Sequence, residues 1–156
     1  MQKITPFIWF KDQAEEAMQF YVSVFKNSRT ISVAHYTDAG PGPKGSVMTT
    51  YFEIEGQPFV ALNGGEEAKF NQAISFVVNC DTQDEIDYYW SKLAEGGKEI
   101  QCGWLVDRFG VTWQIVPSQM PEWVSGDPEK ANRVMKALMP MKKLDIATLQ
   151  AAYDGK

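Results

Sequence analysis

Apolar residues recur along this chain with two alternating periods. Residues 4–10, ITPFIWF, are rich in β-formers and give way to KDQAEEAMQFYVSVF, where Ala14, Ala17, Met18, Tyr21, Val24 and Phe25 return at helical spacing. A strand followed by a helix is expected. The succession repeats at residues 73–79, AISFVVN, and CDTQDEIDYYWSKLAEGG, where Ile86, Tyr89, Trp90 and Leu93 trace a helical face that Gly96-Gly97 ends. After each helix the pattern reverts to β-type: residues 31–36, 47–54 and 59–62 in the first half, and 99–101, 104–106 and 111–116 in the second. Superposing the halves at an offset of 69 sets Asp12 on Asp81, Glu16 on Glu85, Phe20-Tyr21 on Tyr89-Trp90 and Val24 on Leu93. Both halves therefore read β-α-β-β-β. Such a unit covers one face of its sheet with its helix, and the other face must curl around something or meet its twin, which makes it a pocket. The expected class is α+β, with module 1 at about residues 3–65, module 2 at about 72–117 and a helical tail at 118–156, all in one domain.

Turn chemistry divides the pattern further. Residues 36–46, YTDAGPGPKGS, alternate Gly with Pro and form a candidate lid between strands. Glu55-Gly56 signals a tight hairpin, Asn63-Gly64-Gly65 closes the first half, and residues 66–71 are the natural linker. In CGWLVDRFGVTWQIVP, residues 102–117, Phe109-Gly110 separates a short apolar run from a long strand, with Asp107 and Arg108 stabilising the turn. The tail opens on Asp127-Pro128-Glu129, an N-cap followed by Pro at the first helical position, and continues through Ala131, Val134, Met135 and Leu138 at helical spacing. That helix should end near Met139-Pro140, with a second short one at residues 144–153, covering the core or a partner subunit.

Composition narrows the function classes. Apolar residues at 44% and aromatics at 13%, with 22% charged, describe a globular chain with aromatics to spare for a pocket. The net charge of -5 and the scatter of the basic residues argue against nucleic-acid binding and against attraction to an anionic membrane. The first residues show no small-residue cleavage site and no apolar span near ~20 residues, so a cytoplasmic location is expected. Cys80 and Cys102 are too few for a disulfide framework and read as reduced thiols, Cys102 as a small buried hydrophobe.

The pieces ITPFIWF with AEEAMQFYVSVF, GQPFVALNGG, NQAISFVVNCDTQDEIDYYWSKL, CGWLVDRFGVTWQIVP and VMKALMPMKKLDIATLQAA resemble the PhnB-like proteins. This family is often called 3-demethylubiquinone-9 3-methyltransferase-like and lies in the vicinal oxygen chelate (glyoxalase/bleomycin-resistance) superfamily. The resemblance implies paired βαβββ modules whose eight strands form a cupped mixed sheet, in a homodimer, with a small-molecule site in each cup. It also implies, for the members that do chemistry, a divalent metal held by His, Gln or Glu at the strand mouths with open positions for substrate oxygens. The closing glutamate of the superfamily falls on Gln114, and its first-half counterpart falls close to Ala61, with Asn63 on the same strand face. The ligand histidines would fall near Thr5 or Pro6 and near Gln72 or Ala73. None of these is His, Asp or Glu, so a bound metal is disfavoured and no cofactor is expected.

Alternation sets Thr112, Gln114 and Val116 on one face and Trp113 and Ile115 on the other. Phe59, Ala61 and Asn63 are expected to share the cup face with Thr5, Phe7 and Trp9, and Trp104 crosses its mouth. The candidate ligand-binding residues are thus Thr5, Phe7, Trp9, Asn63, Gln72, Trp104 and Gln114, aromatic walls with a few amides suited to a flat or apolar molecule. Ordinary core packing explains Phe7 and Phe59 equally well. The lone His35 reads as a surface or packing residue, Arg108 as a turn residue or an anion clamp, and Asp81, Asp84, Glu85 and Asp87 as a solvated helix start. No catalytic residue stands out. The glycines at 40, 42 and 45 sit among prolines between two strands, and Gly64-Gly65 precedes no clear helix, unlike the Gly-rich turn of an S-adenosylmethionine site. The leading reading is a small-molecule binder without a catalytic metal and of unknown reaction. The alternatives are a non-catalytic resistance-type protein and a metal-dependent lyase, isomerase or dioxygenase.

Overall fold

The computed structural model describes residues 2–156, which divide into two compact units at Lys69/Phe70. In the first unit, strand β1 (Phe7–Phe10) leads into helix α1 (Ala14–Val24), followed by β2 (Ser28–His35), β3 (Val47–Ile54) and β4 (Gln57–Asn63). The second repeats this with β5 (Phe76–Cys80), α2 (Gln83–Ala94), β6 (Lys98–Glu99), β7 (Trp104–Val106) and β8 (Thr112–Pro117). It then continues into α3 (Met120–Ser125), α4 (Pro128–Leu138) and α5 (Ile146–Asp154). The fold is α+β with two βαβββ modules and a helical tail. The eight strands are hydrogen-bonded as two sheets of four, not as one sheet, in the orders β1-β4-β3-β2 and β5-β8-β7-β6. In each, the first and last strands of the module are parallel neighbours and the other pairs are antiparallel.

Each helix is held by the apolar face its sequence displays. Ala14, Ala17, Met18, Tyr21 and Val24 of α1 are buried, and Tyr21 stacks on Phe52, which stacks on its cross-strand partner Phe59 with centroids 5.7 Å apart. Ile86, Trp90 and Leu93 of α2 are buried in the second unit, where Leu105, Trp113 and Ile115 are buried too. Burial of this kind contributes about 1.5–3 kcal/mol for each large side chain. Strand β1 starts later than the β-forming run because Pro6 has no N–H to give; its carbonyl accepts from Val60 N at 3.0 Å.

The tail has its own apolar cluster of Trp123, Val134, Leu138, Leu144 and Leu149, joined by Val116 from β8. As the Asp-Pro-Glu signature anticipates, Asp127 caps α4 by accepting from Glu129 N and Lys130 N. Helix α3 was not anticipated; Pro121 occupies its first turn and Trp123 anchors it. No helix among the described residues is long and apolar enough to cross a membrane.

Candidate functional site

The strand ladders decide which side chains share a face, because directly paired residues project to the same side and successive ones alternate. In the first unit Ile8 pairs with Ala61 and Phe10 with Asn63, on the face α1 covers. The opposite face carries Phe7, Trp9, Thr49, Tyr51, Val60 and Leu62. Phe7 is 59% exposed there, and the others are half-buried. This confirms the alternation within β1 and corrects that within β4: Phe59, Ala61 and Asn63 lie on the covered face, opposite Phe7 and Trp9.

The side chain of Asn63 shows why. Its Oδ1 accepts from Ala14 N at 2.7 Å, at the start of α1, where the N-cap residue Gln13 offers no side-chain bond. Its Nδ2 donates to Val47 O at 3.2 Å, and its carbonyl accepts from the Tyr36 hydroxyl at 2.5 Å. The amide is committed to joining β4 to the start of α1 and to β3.

In the second unit Val77, Gln114 and Trp104 form one cross-strand row on the face opposite the buried Leu105, Trp113 and Ile115. The Gln114 Nε2 donates to Ser75 Oγ at 2.9 Å, while Trp104 is half-buried beside it and Val77 is 50% exposed. Ser75 is the residue the sequence did not single out. Thr5 lies two residues before β1, half-buried, and Gln72 lies in an exposed turn four residues before β5, so neither stands on a strand. The structure therefore brings together Phe7 with Trp9, and Gln114 with Trp104. Asn63 and Gln72 stand apart from both groups.

The ladders also correct the internal correspondence. Phe10 pairs with Asn63 and Cys80 with Pro117, and Gly64 N donates to Phe10 O as Ser118 N donates to Cys80 O. The first strands thus superpose at an offset of 70, although α1 and α2 start 69 apart. At this register Thr5 matches Ser75, and the counterpart of Gln114 is Val60, not Ala61.

At these four positions Thr5 and Ser75 offer hydroxyls, Gln114 an amide and Val60 no ligating atom. Such a set supplies neither the charge nor the imidazole nitrogen that a divalent transition metal takes, and the Gln114 amide already has a protein partner. The residues present do not fit the metal that the superfamily resemblance implies. Among the described residues no three His, Cys, Asp or Glu side chains cluster as metal ligands.

The remaining candidates have structural settings. Asp107 is buried and accepts from Phe109 N at 2.9 Å, Val111 N at 3.0 Å and Trp113 Nε1 at 2.9 Å, so it organises the β7–β8 turn. The Arg108 guanidinium lies 5.9 Å from the Phe109 ring centroid and 4.0 Å from Glu95. His35 is exposed at the end of β2. Burial pushes the Cys80 thiol up to about 12, which removes it as a nucleophile near neutrality. Cys102 is half-buried with φ 61°, against the tail. The Gly/Pro loop roofs a separate cavity of about 580 Å³ in the first unit, lined by Lys11, Asp12, Glu15, Tyr36, Gly42 and Asn63 among others. Its Gly42 packs so closely on the Tyr36 ring that no Cβ fits.

This architecture has relatives. The family model described as 3-demethylubiquinone-9 3-methyltransferase matches residues 2–116. The chain belongs to this PhnB-like family. A putative 3-demethylubiquinone-9 3-methyltransferase, PhnB protein, from Bacillus cereus is 38% identical, with 74% of this chain and 99% of that one covered at a TM-score of 0.68. Protein PA1353 from Pseudomonas aeruginosa has 21% identity, coverage of 75% and 98%, and a TM-score of 0.63. A fosfomycin resistance protein, FosX, from Listeria monocytogenes has 16% identity, coverage of 78% and 94%, and a TM-score of 0.54. At this identity the likeness to FosX is one of fold. No curated protein matches the chain.

Proposed function

We propose that this PhnB-like protein is a cytoplasmic homodimer that binds a flat, largely apolar small molecule on the uncovered sheet face of its second unit, without a resident metal ion. The observation that carries the reading is the Val77–Gln114–Trp104 row, an indole and an aliphatic side chain flanking a single neutral amide. An aromatic wall with one oriented polar group suits a flat, weakly polar ligand. Metal-assisted chemistry is not part of the reading, because neither Gln114 nor Ser75 brings charge to an ion. Methyl transfer is not part of it either. Gly64 and Gly65 lead from β4 into residues 66–75 without a helix, and the glycines at 40, 42 and 45 lie between antiparallel strands, so no Gly-rich turn joins a parallel strand to a helix.

Dimerisation is supported by large apolar side chains left in water at matched positions just before the first strand of each unit, Ile4 at 83% and Ile74 at 76% exposed. Sedimentation equilibrium at micromolar concentration should give twice the chain mass, and a monomer would remove the dimer from the reading. The two free thiols and the acidic net charge accord with a reducing, cytoplasmic setting.

Ligand binding is tested by thermal shift with flat neutral aromatics, starting from coumarin, alongside Mn, Ni, Zn and Fe salts. The aromatics should raise the melting temperature and quench tryptophan fluorescence in the wild type, and Trp104→Ala should weaken binding roughly tenfold or more. Stabilisation by a divalent ion and by no organic compound overturns the reading in favour of metal chemistry.

A further inference from the structure

The family match ends at Val116, and the helical tail follows it. Its attachment to the second unit is specific. Met141 O and Lys142 O accept from Cys102 N and Gly103 N, each at 2.8 Å, so the tail backbone pairs with the two residues directly before Trp104. Gly103 has φ 82°, and a Cβ there would stand 2.8 Å from Ile115 O and 3.0 Å from the Leu144 side chain. The tail is therefore seated on this turn with no room to spare. Two residues later the tail is gripped again: Gln83 Nε2 donates to Leu144 O at 3.0 Å, and Gln83 Oε1 accepts from Ile146 N at 2.9 Å. Beside it Lys143 pairs with Asp87 at 2.8 Å. Val116 has the alternation of Gln114, yet it is buried in the tail cluster, whereas Val77 in the Gln114 row is half exposed.

We propose that the tail is a specificity element of the site read above, on which this inference rests. It closes the Val116 end of the Gln114 face and, through Cys102 and Gly103, fixes the position of Trp104. The face then accepts flat neutral ligands that lie across Val77, Gln114 and Trp104 and excludes those that extend over Val116. Gln83 and Leu144 are positioning residues: they touch no ligand and act through the tail.

The experiment uses the full chain with Gln83→Ala and, separately, Leu144→Ala. Amide hydrogen exchange is followed at Cys102 and Gly103, and coumarin binding is followed by tryptophan quenching. Exchange at both amides should rise about tenfold or more while the β5 amides keep their protection, since these two N–H groups have only tail carbonyls as partners. Coumarin affinity should fall by a similar factor, and a longer analogue such as a benzo-fused coumarin should lose its disadvantage relative to coumarin. Unchanged exchange at both amides in both variants overturns the proposal. So does faster exchange with unchanged affinity and unchanged preference for the shorter ligand. A wild type that binds no coumarin in any assay, yet whose variants release both amides, defeats the small-molecule reading and leaves the tail as a clamp without that ligand.

Discussion

The two units share strand order and pairing directions but solve the same two local problems with different residues. Helix α1 begins without a side-chain cap from its own N-cap position, and Asn63 supplies the acceptor from the far end of β4. Helix α2 caps itself: Thr82 accepts from Glu85 N, and the Glu85 carboxylate accepts from Thr82 N in return. The position matching Asn63 is Pro117, whose side chain has no acceptor to offer. The hairpins differ in the same way. β3 and β4 are joined by Glu55-Gly56 alone, both with positive φ of 46° and 79°, a type I′ geometry. β7 and β8 are joined by a longer loop folded around the buried Asp107. A duplicated backbone thus tolerates exchange of its polar devices provided that each helix start and each hairpin keeps one. The polar group that distinguishes the faces, Gln114 against Val60, also differs between the two units.

The largest effect that tests this comparison comes from the buried turn. Asp107→Ala removes an acceptor from three donors, one of them the buried Trp113 indole, and should destabilise the second unit by about 3 kcal/mol or more. Glu55→Ala, in the equivalent hairpin of the first unit, should change stability by about 0.5 kcal/mol at most, because its carboxylate accepts a long 3.3 Å bond from Asn27 N at the surface. Urea denaturation of both variants measures the contrast. Similar losses in the two would show that the hairpins rely on one mechanism after all.

The caps come next. Asn63→Ala removes a helix cap and the bond to Val47 O together, so about 2 kcal/mol is expected, against about 1 kcal/mol for Thr82→Ala. Asn63→Asp sharpens the test: it keeps the acceptor for Ala14 N and loses the donor to Val47 O, and should recover roughly half of the loss. If Asn63→Ala instead abolishes coumarin binding while stability is unchanged, Asn63 belongs to a binding site and not to the frame.

How much of this was legible in the sequence follows from the kind of signal each feature leaves. Helical faces repeat several times within one element, and Ala17, Tyr21, Ile86, Trp90 and Leu93 are buried as their spacing implies. The Asp127-Pro128 start was equally plain. Strand faces depend on register, where a slip of one residue exchanges the two sides. The counterpart of Gln114 was placed close to Ala61, one residue beyond Val60, and that single step was enough to set Asn63 on the wrong face. Ser75 leaves no periodic trace, since one hydroxyl before a short strand resembles any loop serine until Gln114 is seen 2.9 Å away. The aromatic pair Phe7 and Trp9 was readable because β1 is short, extended and adjacent to a proline that fixes its start.

The smallest expected effect isolates the turn itself. Glu55 holds φ 46°, a conformation in which a side chain with a Cβ is strained and for which Asn is better suited than Glu. Glu55→Asn should therefore stabilise the first unit by about 0.5 kcal/mol, the relief of strain exceeding loss of the long bond to Asn27 N. The same logic has no target in the β7–β8 loop, where Gly110 already occupies the positive-φ position at 95° and Asp107 supplies the order. A shift of the urea midpoint upward with unchanged slope supports a strained two-residue turn in the first unit. A downward shift would mean that the Glu55 carboxylate contributes more through Asn27 than the backbone strain takes away, and the first hairpin would then depend on a buttressing carboxylate, as the second does.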